Sequence, residues 1–165
     1  MSIDLRNETD AVIDLEELHD CAAFVLDQMR VHPGADLFVG VIDEAAMETL
    51  HRQWMDLPGP TDVMSFPMDE LRPGSADEEP AEGVLGDIVL CPTVAARQAA
   101  DAGHTMDEEL LLLTVHGILH LLGFDHAEPD ERREMFELQR TLLLTFLAGL
   151  GRSGAAVRIK PPSGE

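Results

Sequence analysis

Apolar and polar positions alternate along this chain in blocks that change period, and the blocks predict nine elements. Ile3, Leu5 and the turn-forming Asn7 predict a short first strand. Leu15, Leu18, Ala22, Val25 and Met29 recur at helical spacing and stop before His32-Pro33-Gly34. Residues 37–42 (LFVGVI) predict a strand. Asp43 is placed to cap a helix carrying Met47, Leu50 and Trp54 on one face, broken by Pro58-Gly59-Pro60. Residues 61–66 predict a short extended segment closed by Pro67. Residues 84–91 (VLGDIVLC) predict another strand, ended by Pro92, and a helix from Thr93 stops at Gly103. Thr105 and Glu108 have capping-box spacing ahead of an apolar run over 110–122, with Gly123 as its exit. Pro129 suits the first turn of a last helix whose Met135, Leu138 and Leu142 face inward.

The order βαβαββααα predicts an α+β fold: a single domain with a small mixed four-stranded sheet packed with about five helices. Its expected extent is residues 1–150. Residues 151–165, with charge +2, predict a flexible tail. Between the third and fourth strands, residues 69–82 carry six acids against Arg72 alone and predict a solvated surface loop. With 165 residues, 45% of them apolar, the chain holds enough for one ordinary core. The apolar run from Leu110 to Phe124 is 15 residues long and carries two histidines. A membrane span needs roughly 20 apolar residues, so the run predicts a buried helix. The opening lacks an apolar stretch of the signal-peptide kind, and Cys21 and Cys91 lie far apart without C-x-x-C spacing. Both features predict a cytoplasmic protein with reduced thiols.

The formal charge is −21, from 32 acids against 11 Lys and Arg. It argues against a broad basic surface for nucleic acid. It leaves room for a small cleft whose positive charge comes from a metal ion.

The chemistry is concentrated in one stretch, HGILHLLGFDH over residues 116–126. Residues four apart share a helix face, about 6 Å apart along the axis. His116 and His120 can therefore share one metal at Zn–N distances of about 2.0–2.1 Å. Continued helix would leave residue 126 roughly 80° off that face. The chain must turn, and Gly123 stands where a left-handed exit permits it. Three neutral nitrogens at one corner with an open fourth position are the arrangement of a catalytic zinc, one per chain. His19, His32, His51 and His104 lack partners at ligand spacing and are expected at the surface or in packing. The H-x-x-x-H-x-x-G-x-x-H spacing is that of metzincin proteases, but their general-base Glu is replaced by Gly117. Without it, zinc peptide hydrolysis loses its proton acceptor.

HGILHLLGFDH, together with PTDVMSFP over 60–67 and LGDI over 85–88, resembles the YbeY endoribonucleases, in the family's motif order and across roughly residues 1–148. The resemblance implies a zinc-dependent, single-strand-specific endoribonuclease acting in 16S rRNA 3′-end maturation and ribosome quality control. It implies zinc on His116, His120 and His126, with single-stranded RNA, ribosomal RNA and small-subunit ribosomal proteins as partners and no membrane. Many members carry an arginine six residues before the motif's threonine; here that position is Met55, and the nearest basic residue is Arg52, about one helical turn away. Zinc lowers the pKa of water to about 7 and can polarise a phosphoryl oxygen. Water and the RNA's own 2′-hydroxyl both remain open as nucleophile, and no catalytic acid or base is assigned. Asp62 and Asp125 are candidate acceptors for an imidazole N–H, Asp125 suiting an ordinary turn equally well. Arg52, Thr61, Ser65 and Phe66 are candidate cleft residues, the last three equally compatible with an edge strand. Two other classes compete: a zinc hydrolase acting on peptides, and a ribosome-associated binding module with structural zinc. A fourth protein ligand, such as Cys91, would favour the latter.

Overall fold

The computed structural model describes residues 2–75, 77 and 82–150. The expected tail and part of the acidic loop lie outside them. The elements follow the predicted order: β1 (Ser2–Asn7), α1 (Leu15–Gln28), β2 (Asp36–Val41), α2 (Glu44–Met55), β3 (Val63–Pro67), β4 (Val84–Leu90), α3 (Pro92–Ala102), α4 (Met106–Leu121) and α5 (Pro129–Gly149). Local chemistry sets their ends. Asp14 and Asp43 accept the Glu17 and Ala46 N–H groups as N-caps. Thr105 and Glu108 form the reciprocal capping box that opens α4.

The sheet order is β1-β2-β4-β3. β1, β2 and β4 run parallel, and β3 returns antiparallel to β4 as an edge strand, Ser65 facing Ile88 and Phe66 facing Asp87 across the pair. Because strand side chains alternate, β3 and β4 present two different faces. One face, with Ile88 and Leu85, packs in the main core with α1, α4 and α5. The other, with Met64, Val89 and Cys91, covers a smaller core closed by Met47 of α2.

α4 is buried on nearly every side from Glu108 to Leu121, as expected of a helix apolar all round. It lies against α1, α3, α5, β3 and β4. Burying each of its leucines stabilises the fold by about 1.5–3 kcal/mol, so the helix that carries the histidines is firmly held in the core. Gly117 explains how close it comes to the sheet: a Cβ there would sit 3.0–3.1 Å from three side-chain atoms of Ile88.

The acidic loop departs from the purely solvated segment expected. Leu71 is buried in the main core, the Gly74 N–H donates to the Met29 carbonyl, and the Arg72 guanidinium lies beside Gly123. The hydrophobic anchor at Leu71 outweighs the charge of its neighbours. Of the four remaining histidines, His19 is exposed and His32 partly so, while His51 and His104 are packing residues. His51 Nδ1 meets the Gly59 carbonyl at 2.9 Å, and His104 pairs with Glu109 at 2.6 Å, tying the α3–α4 turn to α4.

Candidate metal centre

α4 ends just beyond His120. The Gly123 and Phe124 N–H groups return to the His120 and Leu119 carbonyls, and Gly123 adopts φ +99°, a backbone conformation L side chains rarely take. The reversal swings residues 124–126 back over the end of the helix. Asp125 accepts the His126 N–H at 2.7 Å and so shapes the turn that delivers that imidazole.

The three imidazoles converge. Ring centroids are 4.6 Å apart for His116 and His120, 5.5 Å for His116 and His126, and 5.2 Å for His120 and His126. One potential ligand atom from each lies within 4.8 Å of the others, His116 buried and the other two half-buried. The buried Nε2 of His126 makes no hydrogen bond, which leaves that nitrogen open to another ligand. Among the described residues this is the only such group of three.

Two residues of α5 complete the cluster, and neither was anticipated from sequence. Gln139, fully buried, accepts a hydrogen bond from His116 Nδ1 at 2.8 Å. That bond puts the proton on Nδ1 and leaves Nε2 as the nitrogen His116 can offer. Phe136 stacks at 29° and 27° to His116 and His126, with centroids 6.3 and 5.7 Å away, and the Arg132 guanidinium lies over its ring, 5.3 Å from the centroid. A signal for Gln139 existed: it interrupts the apolar stripe of Met135, Leu142 and Leu143 on α5. A polar side chain at such a position needs a buried partner.

Electrostatics favour the neutral form of His116 and His120. Burial, then the neighbouring His120, pushes His116 down to about 3, against the opposing pull of Gln139. Burial and His126 also push His120 down, with Asp125 opposing. His116 and His120 are therefore neutral across the physiological range, the form in which an imidazole can ligate a metal.

The other sequence candidates are placed as follows. Asp62 is buried at the head of β3, where its carboxylate accepts the Thr61 hydroxyl and the Val63 N–H at 3.1 and 2.8 Å. Thr61 is buried with it. Ser65 donates to the Gly117 carbonyl at 3.4 Å, tying β3 to α4. A cleft of about 370 Å³ opens at His120 and His126, lined also by Met55, Ser65, Pro67 and Asp125. Met55 thus stands at the mouth, whereas exposed Arg52 pairs with Glu48 at 2.8 Å and is absent from that lining. Phe66 lines a second groove on the opposite face of β3. Cys91 lies in the small core on that opposite face, not beside the histidines.

A mixed four-stranded sheet with a tri-histidine cluster at the end of its central helix defines the class: an α+β protein with a three-histidine group that could hold a metal ion beside an open cleft. The family model for Endoribonuclease YbeY matches residues 3–147, and the chain belongs to that family. A relative from Beutenbergia cavernae, named Endoribonuclease YbeY, is 64% identical over 149 residues, covering 90% of this chain and 99% of the relative. One from Streptomyces coelicolor with the same name is 60% identical over 157 residues, covering 93% and 95%. The solution structure of TM1509 from Thermotoga maritima matches with a TM-score of 0.60 at 26% identity, over 94% of this chain and 99% of that one.

Proposed function

We propose that this protein is a zinc-dependent, single-strand-specific endoribonuclease that acts in 16S rRNA 3′-end maturation and ribosome quality control. The observation that carries the reading is the convergence of three imidazoles, two of them lining an open cleft, in a chain of the endoribonuclease family. The donor set fits zinc, which takes neutral imidazole nitrogens and keeps a fourth position for water or substrate in catalytic sites. His116, His120 and His126 would hold the ion, which supplies Lewis acidity and lowers the pKa of water.

The chain's own residues do the rest. Gln139 holds the His116 ring in one tautomer, and Phe136 fixes the planes of His116 and His126. Asp125 forms the turn and places negative charge beside His120. Met55, Ser65 and Pro67 line the cleft with His120 and His126, where the strand would lie. The partners in this reading are single-stranded and ribosomal RNA, with small-subunit ribosomal proteins beside them, in the cytoplasm. No helix among the described residues is long and apolar enough to cross a membrane.

The peptide-hydrolase reading lacks a base at position 117, where Ile88 fills the space a side chain would need. The structural-zinc reading lacks a fourth protein ligand among the described residues, Cys91 being on the far side of the sheet. The deciding experiment incubates zinc-loaded protein with single-stranded RNA, duplex RNA and casein, with His116→Ala as control. Cleavage of single-stranded RNA alone, lost in the variant, is expected. Zinc-dependent casein cleavage, or RNA cleavage that survives in His116→Ala, would overturn the reading.

A further inference from the structure

The edge strand β3 separates two openings that share Ser65 and Pro67. One is the histidine cleft. The other, about 550 Å³, lies on the opposite face among Leu50, Trp54, Phe66, Met68, Asp87 and Val89. Two of its large apolar side chains lie open to solvent. Trp54 is 62% exposed and Met68 52%. Trp54 meets Phe66 edge to face, with ring centroids 5.7 Å apart and planes at 72°. Exposed apolar surface gathered around a groove marks a binding site rather than idle surface.

The groove's charge says what kind of ligand it suits. No Lys or Arg lines it, and its one charged group is Asp87. The Asp87 carboxylate has no hydrogen-bond or ion-pair partner among the described residues, and partial burial pushes it above its ordinary value. Such a groove repels phosphate. It matches a flat aromatic ligand whose edge presents N–H donors. A strand crossing the β3 edge would keep its phosphates on the histidine side and turn a base to this one.

We propose that the groove is a nucleobase subsite, in which one base of the single-stranded RNA stacks on Trp54 and Phe66 and directs its N–H edge to the Asp87 carboxylate. The inference rests on the nuclease reading above and adds a determinant of substrate choice. Stacking tolerates every base, because each has a π-face. The carboxylate discriminates: cytosine and adenine offer exocyclic amino groups, whereas uracil's single N–H is flanked by carbonyl oxygens that a carboxylate repels. The subsite also accounts for how a chain of charge −21 holds an anionic strand, since stacking needs no phosphate neutralisation.

Trp54 is the single tryptophan and the chain has no tyrosine, so its fluorescence reports on the groove directly. Zinc-loaded protein is titrated with five-nucleotide 2′-O-methyl oligo-C, oligo-A and oligo-U, and with an abasic strand of equal length. Quenching by oligo-C and oligo-A, weaker quenching by oligo-U and none by the abasic strand are expected. In cleavage assays Trp54→Ala should raise KM roughly five- to 150-fold, the worth of one stacked base, with a much smaller change in kcat. Trp54→Phe should restore most of that loss. Asp87→Asn should shift preference towards uracil at unchanged zinc content. Equal quenching by the abasic strand, or an unchanged KM in Trp54→Ala, overturns the subsite while RNA cleavage itself still supports the nuclease. Parent protein that cleaves no RNA removes the nuclease reading and the subsite together.

Discussion

Replacing Gln139 separates what holds the metal from what holds the fold. In Gln139→Leu the oxygen 2.8 Å from His116 Nδ1 disappears, and the imidazole loses the group that sets its tautomer. Loss of such a partner typically weakens metal affinity 10- to 100-fold, or about 1.4–2.7 kcal/mol. Stability of the metal-free protein responds differently, because two contributions oppose. The Nδ1–H left without an acceptor costs about 1–3 kcal/mol. Against this, the buried Gln139 amide nitrogen already lacks a partner in the parent, and removing it returns a similar amount. Leucine also suits the apolar surroundings of Met135, Leu142 and Leu143. The net change should lie within about 1 kcal/mol, moving Tm by no more than roughly 2–4 °C for a chain of this size. Competition with a chromophoric chelator measures zinc affinity, and melting of chelator-treated protein measures stability. Gln139→Glu, which keeps an acceptor at the same place, should bind zinc at least as tightly as the parent. Unchanged zinc affinity in Gln139→Leu alongside a Tm loss above 10 °C, which is outside the predicted range, would refute the positioning role and leave Gln139 a packing residue.

His120→Ala should lose most bound zinc and activity yet keep its helix, since alanine is a good helix former; full zinc occupancy by elemental analysis would sink the ligand assignment. Gly117→Glu should create no protease and should destabilise the fold by at least the 1–3 kcal/mol usual for overpacking, because its Cβ meets Ile88 at 3.0 Å; a melt at or above the parent Tm would contradict that packing. Binding of single-stranded RNA should depend weakly on salt, with a log–log slope near −2 if about three phosphates are neutralised. A slope steeper than about −5, with or without residues 151–165, would reveal a basic footprint the chain does not show. Burial, with a smaller push from Glu17, raises the Cys21 thiol from 9.0 to about 12. Its folded-state value thus exceeds its unfolded one, so the stability it contributes is intact below pH 9 and lost as pH climbs towards 12. Denaturation midpoints should fall between pH 8.5 and 10.5 in the parent and less in Cys21→Ala, and an identical fall in both would count against the assignment.

Most of what is local in this molecule is legible in its sequence. Helix periodicity, the Asp43 cap, the Thr105–Glu108 box and the left-handed exit at Gly123 each depend on residues a few positions apart, so the residues at those positions dictate them. The His116–His120 pair belongs to the same category, because helix geometry alone puts both rings on one face. The third histidine was readable through Gly123, a single turn away. Tertiary structure decided everything that depends on distant chain segments meeting. Only packing places β4 between β2 and β3, makes β3 an edge, and opens clefts on both of its sides. Only the docking of α5 on α4 brings Gln139 and Phe136 to the histidines, across 23 residues of sequence in the case of the His116–Gln139 bond. Trp54 and Leu50 share the helix face that periodicity predicts, yet that face ends in an open groove. Periodicity says which side chains lie together; it carries no information about whether another element arrives to cover them.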